Sequence, residues 1–136
     1  MKKICLFLVI ASMFVSCQQE EDPAVLWKVI NLEVKQADWS VDTDANGLNR
    51  YYFCEFDMPE ITPYVYAQGV VQVYNVRDNV QQVLPYVRHY ENAAGYKWTQ
   101  TVDADFSTGN MIIYVTDDDF SGGTPPAMDF RVVLMW

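Results

Sequence analysis

Alternation of apolar and polar side chains along short segments is the feature that most constrains the fold of this 136-residue chain. The segment Trp27–Lys35 is one example. Its residues Ile30, Leu32 and Val34 are apolar, and the residues between them are polar. In Met128–Trp136 every second residue, from Met128 to Trp136, is likewise apolar. Because successive side chains of a β-strand point to opposite faces, this period of two predicts strands that are buried on one face.

Six further segments are rich in β-branched and aromatic residues, which favour strands. They are Ala37–Val41, Arg50–Asp57, Gly69–Val76, Gln82–Glu91, Tyr96–Phe106 and Asn110–Thr116. Turn-forming pairs such as Asn46-Gly47 and Gly122-Gly123 separate several of them. This pattern over residues 25–136 predicts an all-β domain, a single antiparallel β-sandwich of about 7–8 strands. A small closed barrel is the alternative arrangement.

One segment departs from the strand pattern and predicts a short helix. Thr62 suits an N-cap, Pro63 suits the first helical position, and Gly69 suits the residue after the helix. We therefore expect at most one short helix, over Thr62–Gln68, although residues 64–66 would also suit a strand.

Residues 1–16 have the layout of a lipoprotein signal peptide. Lys2 and Lys3 precede the apolar run Ile4–Val15, which stops two residues before Cys17. The run is much shorter than the roughly 20 residues that a membrane-spanning helix needs. We predict that cleavage leaves Cys17 as the first residue of the mature protein, with its thiol lipidated. The alternative is an ordinary secretory signal that is cleaved nearby, with the cysteine incidental.

Residues 17–24 are predicted to be the lipidated cysteine and a disordered acidic tether, because they offer nothing to bury. Cys17 followed by Glu20-Glu21-Asp22 resembles the surface lipoproteins of the Bacteroidota, in which a short acidic run directs export to the outer face. The resemblance implies a protein that is anchored by lipid to the outer membrane and faces the cell exterior.

The domain over residues 25–136 is also similar to a family of small, surface-exposed Bacteroidota lipoproteins of unknown activity. The likeness lies in a first strand that begins with Trp, an aromatic central strand, a Leu-Pro-Tyr sequence and the final strand. These are Trp27, Tyr51–Phe56, Leu84-Pro85-Tyr86 and Phe130–Trp136. The resemblance implies an uncharacterised β-sandwich domain and supplies no catalytic residues.

Net charge argues against nucleic acid as a partner. The chain has nine basic and eighteen acidic residues, and loss of Lys2 and Lys3 with the signal peptide leaves a net charge of −11. Nucleic acids and anionic lipid headgroups require clustered Lys and Arg, whereas the remaining basic residues are scattered along the chain.

Few residues offer catalytic, redox or metal chemistry. Of three cysteines, only Cys54 lies in the domain, where it alternates with Tyr52 and Phe56 and is expected to be an unreactive core residue. His89 is the only histidine, whereas a zinc site usually needs three or four nitrogen or sulfur ligands. The G-x-S-x-G motif of Ser hydrolases is absent from the sequence. We expect no cofactor and no enzymatic activity.

The sequence Asp42–Gly47 resembles the first half of an EF-hand calcium loop. Asp42, Asp44 and Asn46 occupy loop positions one, three and five, and the glycine occupies position six. The second half fails, because Phe53 stands where a bidentate carboxylate is needed. We predict a turn with exposed acidic groups and no metal site, these three residues being weak calcium candidates. The acidic run 117–119 is likewise expected to be a solvated loop.

Aromatic residues are the remaining lead to function. Tyr86, Tyr90, Tyr96 and Trp98 belong to a set of rings that exceeds what one face of a small sandwich buries. Exposed Tyr and Trp rings offer an apolar face with a polar handle, which suits sugars and proteins alike. We regard these four residues as candidates for ligand stacking.

The sequence as a whole predicts a cell-surface lipoprotein with a non-catalytic binding or structural role. Protein interaction, or a place as an accessory subunit of an envelope complex, is the leading interpretation, and a carbohydrate-binding module is the alternative. A glycan module is expected to present two or three coplanar Tyr or Trp rings in a shallow groove, and a protein-binding domain to present a broader apolar patch without them.

The predicted anchor gives a direct test. Replacing Cys17 with Ala removes the only thiol available for acylation at the cleavage site, so the protein is expected to leave the membrane fraction and to lose palmitate label. Fractionation of cells that express either form, with palmitate labelling, checks this. A wild-type protein that carries no label and stays membrane-bound after the substitution contradicts the anchor.

Overall fold

The computed structural model describes residues 26–136, which form nine strands, one α-helix and one short 3-10 helix at Gln36–Asp38. Cys17 and the predicted signal peptide lie outside the described residues. The strands are β1 Trp27–Val34, β2 Ser40–Thr43, β3 Arg50–Met58, β4 Val70–Arg77, β5 Val80–Val83, β6 Tyr86–Glu91, β7 Lys97–Ser107, β8 Gly109–Asp117 and β9 Met128–Met135. The helix α1 spans Pro63–Gln68.

The strands form two open antiparallel sheets that pack face to face. Sheet A has the order β1-β9-β4-β5, and sheet B has the order β2-β3-β8-β7-β6. The predicted β-sandwich with a single short α-helix is confirmed, and the described residues do not close into a barrel.

The strand count is higher than predicted because the expected strand Gln82–Glu91 is two strands in different sheets. Asp78 and Asn79 have φ angles of 49° and 65°, so they form a two-residue turn that pairs β5 with β4. Pro85 then lies between β5 and β6, where it has no N–H with which to continue a ladder. The chain crosses there from sheet A to sheet B. The positive-φ turn carries no glycine, which is why the sequence pattern missed it.

The inner faces of the two sheets supply one core, as the alternation predicted. Val34 of β1 is fully buried, and Ile30 and Leu32 pack against the core beside it. In β9, Phe130, Val132 and Leu134 are buried, while the residues between them are at least partly exposed. From sheet B the core receives Tyr52, Met58, Val102, Met111, Ile113 and Val115.

The helix α1 begins and ends where the sequence predicted. The Thr62 hydroxyl accepts a hydrogen bond from the backbone N–H of Val65 at 3.2 Å, which caps the first turn. Gly69 ends the helix, and a Cβ at this position would lie 2.7 Å from the carbonyl oxygen of Met135. A glycine is therefore required for the helix to pass this close to β9.

The topology gives the sandwich two different ends. At the helix end lie Leu26, α1 and the turn between β7 and β8. At the loop end lie the β4–β5 turn and the longer connections 44–49, 92–96 and 118–127. No helix among residues 26–136 has the length and apolar character needed to cross a membrane.

The core position of Phe130 predicts a large loss of stability on truncation. Its side chain is 1% exposed, so Phe130→Ala is expected to lower the free energy of unfolding by about 3–5 kcal/mol. Met135→Ala, on the outer face of the same strand, is the matched control, with an expected loss of about 1 kcal/mol or less. Urea denaturation followed by tryptophan fluorescence measures both. Equal losses of unfolding free energy in the two variants would contradict the assignment of Phe130 to the inner face and Met135 to the outer face of β9.

Candidate functional site

Three of the four predicted stacking residues form one aromatic stack. Tyr90 of β6 lies directly opposite Trp98 of β7, and their ring centroids are 5.2 Å apart with planes inclined by 13°. Tyr96 lies against the same indole, at 6.2 Å and 21°. These parallel, offset rings hold one another in place. We call Tyr90, Trp98 and Tyr96 the aromatic stack.

The stack is half-exposed because of its position along the strands. Tyr90 and Trp98 point to the same face of sheet B as the buried Val102, but they lie nearer the loop end. There the side chains pass beyond the part of the sandwich that sheet A covers, and both rings are only partly buried. One face of β6 and β7 therefore carries a core residue, Val102, and a few residues further along the strands it carries the accessible rings of Tyr90 and Trp98.

A cleft of about 460 Å³ opens beside the stack at the loop end of the sandwich. Sheet A contributes one wall through the end of β4 and its turn, and sheet B contributes the other through β6 and β7. The lining residues are Asn75, Val76, Arg77, Asp78, Asn79, Tyr86, Tyr90, Gln100, Val102 and residues 126–129. Tyr90 therefore belongs both to the stack and to the cleft, and Tyr86 joins it there.

Two side-chain amides lie in this cleft on opposite sheets. Asn75 is only 6% exposed, yet its side chain makes none of the hydrogen bonds found among residues 26–136. The Nε2 group of Gln100 donates a hydrogen bond to Oδ1 of Asp117 at 3.0 Å. The amide oxygen of Gln100 takes no part in this bond. Both residues line the opening and neither has a fully buried amide atom without a partner, so their unpaired amide atoms are accessible to a polar ligand.

The stack is fastened to the acidic loop that follows β8. The Tyr96 hydroxyl donates a hydrogen bond to Asp119, which also accepts from the Ser121 hydroxyl at 2.6 Å and from the Ser121 N–H at 3.0 Å. The Ser121 hydroxyl and then the Tyr96 hydroxyl lower the pKa of Asp119 from 3.8 to about 2. The same bond to Asp119 raises the pKa of Tyr96.

The calcium candidates are engaged in shaping their own loop. Asp44 accepts hydrogen bonds from the backbone N–H groups of Asn46 and Leu48 at 3.1 and 3.0 Å, and the bond from Leu48 is the main cause of its lowered pKa. Asp42 accepts from the N–H of Thr43. Within residues 26–136 no three His, Cys, Asp or Glu side chains group closely enough to hold a metal ion.

The remaining single-residue candidates lie away from the cleft. His89 is exposed on the outer face of sheet B, with Nδ1 3.0 Å from the Thr99 hydroxyl. Cys54 packs against the core, where burial and then the charge of Asp38 raise the pKa of its thiol. A raised pKa leaves the thiol protonated and poorly nucleophilic.

Sequence reasoning missed the cleft amides and one apolar surface. Asn75 and Gln100 stand more than twenty residues apart in the chain, and only strand pairing brings them to one opening. The sequence indicated the inner faces of β1 and β9, but the register also aligns several apolar side chains on the outer face of sheet A. They are Trp27, Val29, Val70, Tyr74, Val83, Val133 and Met135.

Comparison of the chain with protein-family models, with curated proteins and with solved structures gave no match. The resemblance to Bacteroidota surface lipoproteins therefore stays a prediction from the sequence.

The bond between Tyr96 and Asp119 predicts a measurable pKa change. Tyr96→Phe keeps the ring but removes the hydroxyl, so the pKa of Asp119 is expected to rise from about 2 towards 3.8. Because the folded-state pKa is depressed, this interaction stabilises the loop above the unfolded pKa and is lost as pH falls through the folded value. Carboxyl-carbon NMR titration measures the pKa, with Tyr90→Phe as the control. An unchanged value in Tyr96→Phe would contradict the contact.

Proposed function

We propose that this chain is a lipid-anchored, non-catalytic binding protein of the cell surface, and that the cleft binds a short carbohydrate segment. One observation carries the proposal: two tyrosine rings and two side-chain amides line a single opening that continues into the aromatic stack. The three rings of the stack lie on one another and are not coplanar, whereas a glycan module was expected to have coplanar rings. The rings and amides gathered at one opening are the reason for placing the carbohydrate interpretation ahead of protein interaction.

The chemistry of the lining residues suits a sugar. The C–H face of a sugar ring packs on an aromatic ring, as Tyr86 allows, while its hydroxyls need paired donors and acceptors. Asn75 and Gln100 supply both kinds of group from the inner walls, and Arg77 adds donors nearer the turn. Trp98 stacks on the Tyr90 ring, and the Arg88 guanidinium lies over it, 5.8 Å from the ring centroid. A ligand would therefore use the edge of Tyr90, the ring of Tyr86 and the cleft beside them.

The position of the cleft agrees with a surface-anchored binder. Leu26, where the described chain begins, lies at the helix end, and the cleft opens at the loop end. A protein tethered through Cys17 would hold the cleft on the side away from its attachment, where extracellular ligands are available. This argument depends on the anchor, which the sequence alone predicts.

A non-catalytic role is supported by where the perturbed carboxyl groups lie. Burial raises the pKa of Asp103 and of Asp117, and neither residue lines the cleft, whose own carboxyl groups are those of Asp78 and Asp129. A glycosidase needs one carboxyl group with a raised pKa at the scissile bond and a second at a fixed separation from it.

Protein interaction is the second candidate, and the outer face of sheet A favours it. Val29 lies opposite Val133 there, and Met135 joins Trp27 to Val70. Trp27, Val29 and Val70 are substantially exposed. Contiguous apolar surface of this kind is typical of docking sites for other proteins. An envelope protein seated on this face would make the chain an accessory subunit.

Glycan-array screening followed by calorimetry tests the carbohydrate proposal. Tyr90→Ala and Gln100→Ala are each expected to weaken binding of the best glycan about tenfold or more, because each removes one ring or one hydrogen-bonding group from the cleft. Leu48→Ala, a largely exposed residue of the loop end outside the cleft lining, is the matched control.

Binding measurements on two variants distinguish the two candidate functions. Absence of glycan binding, together with capture of one envelope protein that Val29→Glu abolishes and Tyr90→Ala does not, would replace the carbohydrate proposal with protein interaction. Turnover of any glycan by the purified protein would overturn the non-catalytic role.

A further inference from the structure

The helix end of the sandwich carries an unusual concentration of exposed apolar side chains. Trp27 is 69% exposed, and Tyr64 and Tyr66 on α1 are 61% and 54% exposed. The full set, which we call the helix-end surface, is Leu26, Trp27, Tyr64, Tyr66, Val70, Phe106 and Met135. Ile61 and Val65 are buried in this region, whereas Tyr64 and Tyr66 of α1 point away from the core.

Strand register and local contacts bring these residues to one end. Trp27 of β1 and Val70 of β4 both pair with Met135 of β9, which lies between them. Tyr66 meets Phe106 of β7 edge to face, with ring centroids 6.1 Å apart. The surface therefore joins the ends of both sheets across α1.

The described chain begins within this surface. Leu26 pairs with Trp136 through two backbone hydrogen bonds of 2.7 and 2.8 Å, which fixes the entry point of the chain at the helix end. Cys17 precedes Leu26 by nine residues. Nine residues reach at most about 32 Å even when fully extended, so a lipid on Cys17 keeps this end close to the bilayer.

We propose that the helix-end surface rests in the interfacial layer of the membrane that holds the lipid anchor. Trp and Tyr favour this layer, because their rings are apolar and their N–H and O–H groups stay hydrated. This inference rests on the proposed anchoring through Cys17. It adds a second attachment to the acyl chains and thereby a fixed orientation, with the cleft held outwards.

The distribution of charge is compatible with contact at this end. The acidic clusters at Asp42 and Asp44 and at residues 117–119 both belong to the loop end. At the helix end Lys28 neutralises Glu60 through a salt bridge of 2.9 Å. Asp57 and Asp105 point to the outer face of sheet B, which favours zwitterionic over anionic lipid as the contacting surface.

Quenching of tryptophan fluorescence by lipid tests the inference. Acylated protein is reconstituted in phosphatidylcholine vesicles that contain lipid brominated near the headgroup. Trp136 also lies at the helix end, so every variant carries Trp136→Phe. In that background we expect quenching when Trp27 is present and loss of most of it in Trp27→Phe, whereas Trp98→Phe at the loop end retains it. Unchanged quenching in Trp27→Phe, or none when Trp27 is present, overturns the inference even if Cys17 is shown to be lipidated.

A second arm is independent of the anchor. The unacylated Cys17→Ser protein is expected to co-sediment weakly with the same vesicles, and the double variant Trp27→Ser/Tyr64→Ser to lose about tenfold in partitioning. Tyr96→Ser, an exposed tyrosine of the loop end, is the control. Binding that survives the double variant overturns the inference, as does a dimer in solution that Trp27→Ser dissociates. If Cys17 proves not to be lipidated, this second experiment still tests the inference, because it uses unacylated protein.

Discussion

The position of β9 between β1 and β4 is the constraint on which the rest of the structure depends. It is the only strand that joins β1 to the remainder of sheet A within the described chain, and its inner residues Phe130, Val132 and Leu134 lie at the centre of the core. A strand paired on both sides satisfies its backbone groups without solvent, so its inner side chains can be wholly apolar. The pairing of β9 also sets the register of its two neighbours, and this register decides which side chains reach each face of sheet A.

Separation of the two ends follows from the same arrangement. The longer strands run between the helix end and the loop end, so residues at one terminus of such a strand meet the corresponding terminus of its long neighbours. Trp27, Val70 and Met135 are gathered in this way at the helix end, whereas Tyr90, Trp98 and Gln100 are gathered towards the loop end. The proposed anchor and the proposed binding cleft would thus occupy opposite ends of the domain.

Local hydrogen bonding within the acidic loops fixes the positions of their carboxyl groups. Asp44 and Asp119 direct their oxygens to backbone N–H groups and hydroxyls of their own loops, and these bonds lower the pKa of both carboxyl groups. Asx turns of this type are the ordinary means of fixing a connection between strands. The acidic residues at the loop end therefore define the shape of the surface around the cleft, and Asp119 in particular holds Tyr96 against Trp98.

The sequence by itself determined the elements that depend on neighbouring residues: the alternation of β1 and β9, the capped helix from Thr62 to Gly69, and the turn at Gly47. It also identified Tyr86, Tyr90, Tyr96 and Trp98, since an excess of rings is visible in composition. Tertiary structure alone decided that three of these rings stack, that Asn75 and Gln100 share a cleft with Tyr90, and that segment 82–91 divides between two sheets. The physical reason is that β-sheet contacts join residues distant in the chain, and a shift of one residue in register turns each side chain to the opposite face.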